Sequence, residues 1–183
     1  MSKTAVVVLA EGFEEIEAVA PIDVLRRAGV QVTIAGLDGK ERVGAHGVPY
    51  RADVELSELS GDFDLVIFPG GMPGSKNLGD SSLVRALAER NLKAGRRVAA
   101  ICAAPVLTLG AWGMLDGKTA TCYPGMENMF PATVTFSAER VVVDGLITTS
   151  RGPGTALEFG LNLAGQLVGN EMMDKLKGDM VIK

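Results

Sequence analysis

The chain of 183 residues is 47% apolar and 22% charged, which excludes the polar, highly charged profile of disorder and predicts one domain, residues 1–183, around one core. A formal charge of -4 without any long Lys/Arg run excludes the electrostatic footprint of a nucleic-acid or anionic-membrane binder. Two cysteines, Cys102 and Cys122, make a poor disulfide framework and no charged-then-apolar signal segment opens the chain, so a reducing cytoplasm is the expected compartment.

In chain order, Ala5 to Leu9 predicts a buried strand, EGFEE an acidic turn, and the residues up to Ala28 a helix stopped by Gly29. Val30 to Ala35 then completes a βαβ unit. The alternation recurs: Leu65 to Pro69 is an apolar strand closed by Gly70-Gly71, Ser82 to Lys93 is helical, Arg97 to Ile101 is a strand and Ala104 to Gly110 is helical. Val98 to Leu115 carries no charge and reaches the length of a membrane span, but Pro105 and the glycines at 110 and 113 favour a buried strand feeding a buried helix. Arg140 to Thr149 predicts a hairpin around Asp144-Gly145 appended to the sheet, and helices follow over Gly154 to Val168 and Asn170 to Lys177. Parallel strands with helices on both faces result.

Ligands of such sheets bind beyond the carboxyl ends of the strands, where three loops stand out: the turn with Glu14, Glu15 and Glu17, the loop FPGGMPG, and the turn ICAAP. Cys102 ends a strand just before Pro105, a strand-to-helix elbow that lifts a nucleophile above the sheet and lets the next helix N-terminus favour a thiolate. The plainer alternative is a small buried hydrophobe. Glu17 shifts the balance, because its helical neighbours Phe13, Ala20, Pro21, Val24 and Ala28 are all apolar. Burial should raise its pKa, so that a protonated carboxyl donates to the sulfur. Glu15 reads instead as a solvated acid helping the helix dipole. Gly70 and Gly71 read either as a flexible turn or, with Ala103, as oxyanion donors. Neither G-x-G-x-x-G after a strand nor G-x-x-x-x-G-K-[ST] is present, which argues against a dinucleotide or triphosphate. With a single histidine, His46, in a predicted loop, a metal site would need mostly carboxylates, so no metal is expected and His46 reads as solvated.

Together, EGFEEIEAVAPIDVLRRAG, VIFPGGMPG, VAAICAAP and ITTSRGPGTALEFG resemble the ThiJ/PfpI superfamily, in the branch of the Parkinsonism-associated protein deglycase and its bacterial YajL-type relatives. The resemblance covers nearly the whole chain. It implies a flavodoxin-like three-layer sandwich of the class I glutamine amidotransferase type, a homodimer, a reactive cysteine at Cys102 and a protonated glutamate at Glu17. It further places Gly70, Gly71, Ala103 and Glu14 in a substrate pocket, and Arg27, Arg151, Gly152 and Pro153 beside a dimer rim.

The implied activity needs no cofactor: attack on methylglyoxal, glyoxal or their early adducts with proteins or nucleotides, yielding 2-hydroxy acids. Two departures qualify it. Tyr123 stands in TCYPG where many relatives carry histidine, and tyrosine is a poor general base at neutral pH but a good hydrogen-bond donor. Ala103 follows the nucleophile where peptidase members carry histidine, which argues against proteolysis. The alternatives are a redox-sensing stress protein or chaperone acting through oxidation of Cys102, and an amidase or peptidase.

Overall fold

The computed structural model describes residues 2–182. From the N-terminus run β1 (Thr4–Leu9), α1 (Glu15–Arg27), β2 (Gln31–Gly36), a small hairpin of β3 (Glu41–Val43) and β4 (Pro49–Arg51), β5 (Val54–Glu55), β6 (Leu65–Phe68), α2 (Gly74–Asp80), α3 (Ser82–Lys93) and β7 (Arg97–Ile101). A π-helical turn over Pro105–Gly110 follows, then β8 (Thr119–Ala120), β9 (Thr135–Phe136), β10 (Val141–Asp144), β11 (Ile147–Ser150), α4 (Ala156–Val168) and α5 (Asn170–Asp179).

Seven strands form one sheet in the order β10-β11-β7-β6-β1-β2-β5. All neighbours pair in parallel except β10 with β11. Strand residues alternate between two cores, with Ala5, Val7 and Leu9 facing α1, α4 and α5, and Val6 and Val8 facing α2 and α3. This is the expected flavodoxin-like sandwich. In the order β2-β1-β6-β7-β11 the chain leaves β1 in opposite directions toward β2 and β6, which opens a crevice at their carboxyl ends.

The predicted hairpin is more than an appendage. Its second strand, β11, lies parallel to β7 with Thr148 opposite Ala99, so only β10 runs antiparallel at the edge. The predicted helix after Cys102 is a wider turn, in which the N–H of Ala111 donates to the carbonyl of Val106. Pro105 has no N–H to give, and the Thr108 hydroxyl donates to the Ala104 carbonyl at 2.5 Å, where a regular helix would place the Thr108 N–H.

The hairpin of β3 and β4 and the helix α2 lack a strong apolar period and escape sequence reading, α2 because it contains Gly74 and Gly79. Gly79 is required there, since a Cβ would collide with the carbonyl of Leu107. On the other face, Gly160 of α4 lies against α1, where a Cβ would stand 3.1 Å from Pro21 Cα and 3.2 Å from Val24 Cβ. Among the described residues no helix is long and apolar enough to cross a membrane; Val98 to Leu115 holds a buried strand and the π turn.

Candidate functional site

Cys102 immediately follows β7, and its backbone is left-handed, with φ of +67°. For a residue with a Cβ this conformation costs roughly 1–3 kcal/mol, so the surroundings must hold it. They do so from two sides: the Cys102 N–H donates to the Ser150 carbonyl at the end of β11, and the Cys102 carbonyl accepts from the Tyr123 N–H, each at 2.9 Å. The thiol is left at the floor of a cavity of about 410 Å³ lined by Gly71, Met72, Ala103, Tyr123, Pro124, Gly125 and Met126.

Glu17 reaches this floor from the first turn of α1 and is fully buried. Its Oε2 accepts the Gly70 N–H at 2.8 Å, its Oε1 has no nitrogen or oxygen partner, and the carboxyl hydrogen-bonds the Cys102 side chain. A single N–H does not offset the loss of water around a buried carboxylate, so burial pushes Glu17 up to about 7, with the charge of Glu14 adding to the rise.

The thiol does not match the expectation of a helix-activated thiolate. Burial, then the negative charge of Glu17, push Cys102 up to about 12, against the downward pull of the Gly71 and Ala103 N–H groups that meet the sulfur. The π turn that follows is too short to contribute a strong dipole. Glu17 and Cys102 therefore hold their protons as a pair. The thiolate becomes accessible when Glu17 is protonated, because the repulsion vanishes and the carboxyl can donate to the sulfur.

Other expected site residues are distributed differently. Gly71 and Ala103 face the sulfur and the cavity, but the Gly70 N–H is committed to Glu17 and is not free for an oxyanion. What Gly70 supplies is space: a Cβ there would stand 3.0 Å from Cys102 Sγ and closer still to Glu17 Oε2. Glu14 turns away from the cavity, with its N–H holding the Gly70 carbonyl at 2.9 Å and its carboxylate 3.2 Å from His46 Nδ1. Tyr123 stands half-exposed at the rim with its ring against Gly152.

Arg151, Gly152 and Pro153 line an adjoining cavity of about 280 Å³ with Tyr123, and Arg151 is held by the Ala138 carbonyl at 3.0 Å and by the Phe136 ring at 5.9 Å. Arg27 does not join them. It pairs with Asp23 at 2.7 Å in the last turn of α1, roughly 15 Å along the helix axis from Glu17. Sequence reading missed Met72, Pro124, Gly125 and Met126, whose apolar character resembles core, and it missed Ser150, which acts through its carbonyl and ends a short strand, ITTS, whose hydroxyl residues do not set it apart.

His46 is exposed in a loop, as the sequence predicts, whereas Glu15 is less solvated than expected. Glu15 is a half-buried anchor whose Oε1 accepts the N–H groups of His46 at 2.9 Å and Val48 at 3.3 Å. The exposed His46 ring is held by this carboxylate, its Nδ1 3.0 Å from Glu15 Oε2, which with Glu14 raises the imidazole above its usual range.

Comparison with known proteins sets this geometry beside relatives. The chain is 43% identical to "Protein dj-1beta" of Drosophila melanogaster, over its full length and 98% of that protein. The crystal structure of Drosophila DJ-1beta superposes with a TM-score of 0.96, covering 100% of both chains. "Glutathione-independent glyoxalase DJR-1.2" of Caenorhabditis elegans is 34% identical, covering 95% of this chain and 94% of that one. Against "Protein DJ-1 homolog B" and "Protein DJ-1 homolog A" of Arabidopsis thaliana, each 42% identical, the chain spans 42% and 47% of their length. With residues 3–166 matched by the model of the DJ-1/PfpI family, the chain belongs to that family.

Proposed function

We propose that the protein is a cofactor-independent glyoxalase that uses Cys102 to convert methylglyoxal or glyoxal into the corresponding 2-hydroxy acid, and that acts on their early adducts with proteins or nucleotides by displacing the adduct's amine or thiol, which leaves protonated, to reach the same hemithioacetal. The observation that carries this reading is the hydrogen-bonded pair of Cys102 and Glu17 at the floor of a cavity sized for a small carbonyl. The name of the Caenorhabditis relative supports it.

The Cys102 thiolate adds to the aldehyde carbon, and Glu17 gives its proton to the new alkoxide. The resulting hemithioacetal needs a proton moved from C1 to C2. Glu17, now a carboxylate, takes the C1 proton and returns it at C2, while the C1 hydroxyl proton passes to the C2 oxygen, leaving a thioester of the 2-hydroxy acid. Water then cleaves the thioester, restoring the thiol and releasing lactate from methylglyoxal or glycolate from glyoxal. Gly71 and Ala103 supply N–H groups at the developing charge, each worth about 3 kcal/mol when well aimed, and Tyr123 donates to the second carbonyl. The exposed rim at Met72 and Tyr123 gives larger adducts access.

A homodimer in a reducing, cytoplasmic setting completes the reading. Exposed Ile16 and Val19 on α1, with Val43 and Val48 on the adjoining hairpin, offer an apolar face to a second copy. The deciding experiment measures lactate from methylglyoxal for the wild type, Cys102→Ala and Glu17→Gln. Loss of turnover in both variants supports the mechanism. Unchanged turnover in Cys102→Ala overturns it, and peroxide oxidation of Cys102 in a protein without turnover would move the reading to redox sensing.

A further inference from the structure

Beside the cavity over Cys102 lies a second one of about 380 Å³, and Met72 lines both. The strand order explains the shared wall: Met72 belongs to the loop after β6, and Cys102 follows β7, the neighbouring strand. Beyond Met72 the outer cavity is walled by Gly79 of α2 and by Leu107, Ala111 and Trp112 of the π turn and its exit. α2 packs on the sheet face opposite α1, so a second copy seated on α1 and the β3–β4 hairpin leaves this side open.

The walls of the outer cavity are preformed and apolar. The Trp112 Nε1–H donates to the Gly79 carbonyl at 3.0 Å, and the indole meets the Phe68 ring edge-on at 6.0 Å, so it stands fixed. Leu107 and Ala111, four residues apart, lie on one side of the turn. Met72 is 55% exposed and forms a movable partition between the cavities. Among the described residues the charged groups of the outer cavity are Lys76 and Asp80, which pair with each other and leave no free cation there for a phosphate. An uncharged apolar group suits such walls.

The cavity over Cys102 already exceeds what methylglyoxal can fill, and that small molecule has nothing to place beyond Met72. A polypeptide adduct does. In an extended chain, residues two apart present their side chains to the same side about 7 Å from one another, so one can sit over Cys102 while the other passes Met72. We propose that the outer cavity is a second subsite, which takes an apolar side chain two residues from the modified one in a polypeptide adduct. The subsite rests on the adduct activity and gives it a sequence preference.

Trp112 is the sole tryptophan of the chain, so its fluorescence reports the outer cavity directly. The probes are acetylated, amidated tripeptides in both orders, Cys-Gly-X and X-Gly-Cys, with X as Leu, Gly or Asp. Their cysteine carries an S-acetonyl group, a stable mimic of the methylglyoxal hemithioacetal. In at least one order the Leu peptide should bind the wild type roughly tenfold or more tightly than the Gly peptide and shift Trp112 emission to the blue, while the Asp peptide binds no better than Gly. Ala111→Phe fills the outer cavity from an exposed position and should abolish the Leu preference, with circular dichroism verifying its fold. Equal binding of Leu and Gly peptides in both orders, unmoved Trp112 emission, tighter binding of Asp than of Leu, or a Leu preference that survives Ala111→Phe would each overturn the subsite. Methylglyoxal turnover, measured on the same wild-type protein, keeps the two readings apart. Turnover without a Leu preference removes the subsite alone, whereas no turnover removes the glyoxalase reading whichever peptide binds.

Discussion

Glu17 and Cys102 meet across a gap that exists because Gly70 has no side chain: the carboxyl takes the Gly70 N–H, and the sulfur lies where a Gly70 Cβ would press. Gly70→Ala should therefore force the pair apart without replacing either titratable residue. The expected cost is about 1–3 kcal/mol of stability from overpacking, read as a lower melting temperature. Methylglyoxal turnover should fall further than that loss explains, because the misplaced pair is the reacting geometry.

The sign of the pH dependence follows from the raised Glu17. The folded protein binds this proton more tightly than the unfolded chain, whose ordinary value is 4.5. The stability from Glu17 is therefore complete below pH 4.5 and lost as pH rises toward about 7. Glu17→Gln does not titrate, so its stability relative to wild type should grow across that window and level off above it. The full difference should be on the order of 3 kcal/mol. Urea unfolding at a series of pH values measures it, and a difference that stays flat from pH 4 to 8 would refute the raised value.

Alkylation separates the two cysteines. Cys122 is fully buried and pushed up to about 11 by burial, whereas Cys102 opens on the cavity. Iodoacetamide should label Cys102 alone. Glu17→Gln removes the negative charge that holds the thiol up, so above pH 7 this variant should label faster than the wild type while turning over methylglyoxal more slowly. Faster labelling together with normal turnover would remove Glu17 from proton transfer.

Tyr123 is a smaller contributor. Tyr123→Phe removes one hydroxyl at the rim and leaves the ring against Gly152. With one neutral hydrogen bond worth about 0.5–1.5 kcal/mol, kcat/KM should fall by no more than roughly tenfold.

Burial and periodicity carried most of this into the sequence. The β1, β6 and β7 runs are apolar because both of their faces are covered, so they were legible, as was Glu17, a lone acid on an apolar helical face. The β3–β4 hairpin was not, since short half-exposed strands bury too little to leave a period. Nor did sequence show that Gly70 serves Glu17, or that Glu15 and Glu14 reach His46, because each contact joins loops far apart in the chain. The wider turn after Cys102 depended on one threonine hydroxyl competing for a carbonyl, a choice that helix propensity does not register.

The seat of Gly160 against Pro21 and Val24 has its own consequence. α4 supplies none of the groups in the cavity, yet it sets how closely the Glu17-bearing helix lies on the sheet. A single methyl group at position 160 would act as a shim against α1 and displace an acid on that helix, Glu17, which it never touches. In a catalogue of inherited variants such a change would pass for a harmless glycine-to-alanine exchange in a distant helix, while the chemistry declined.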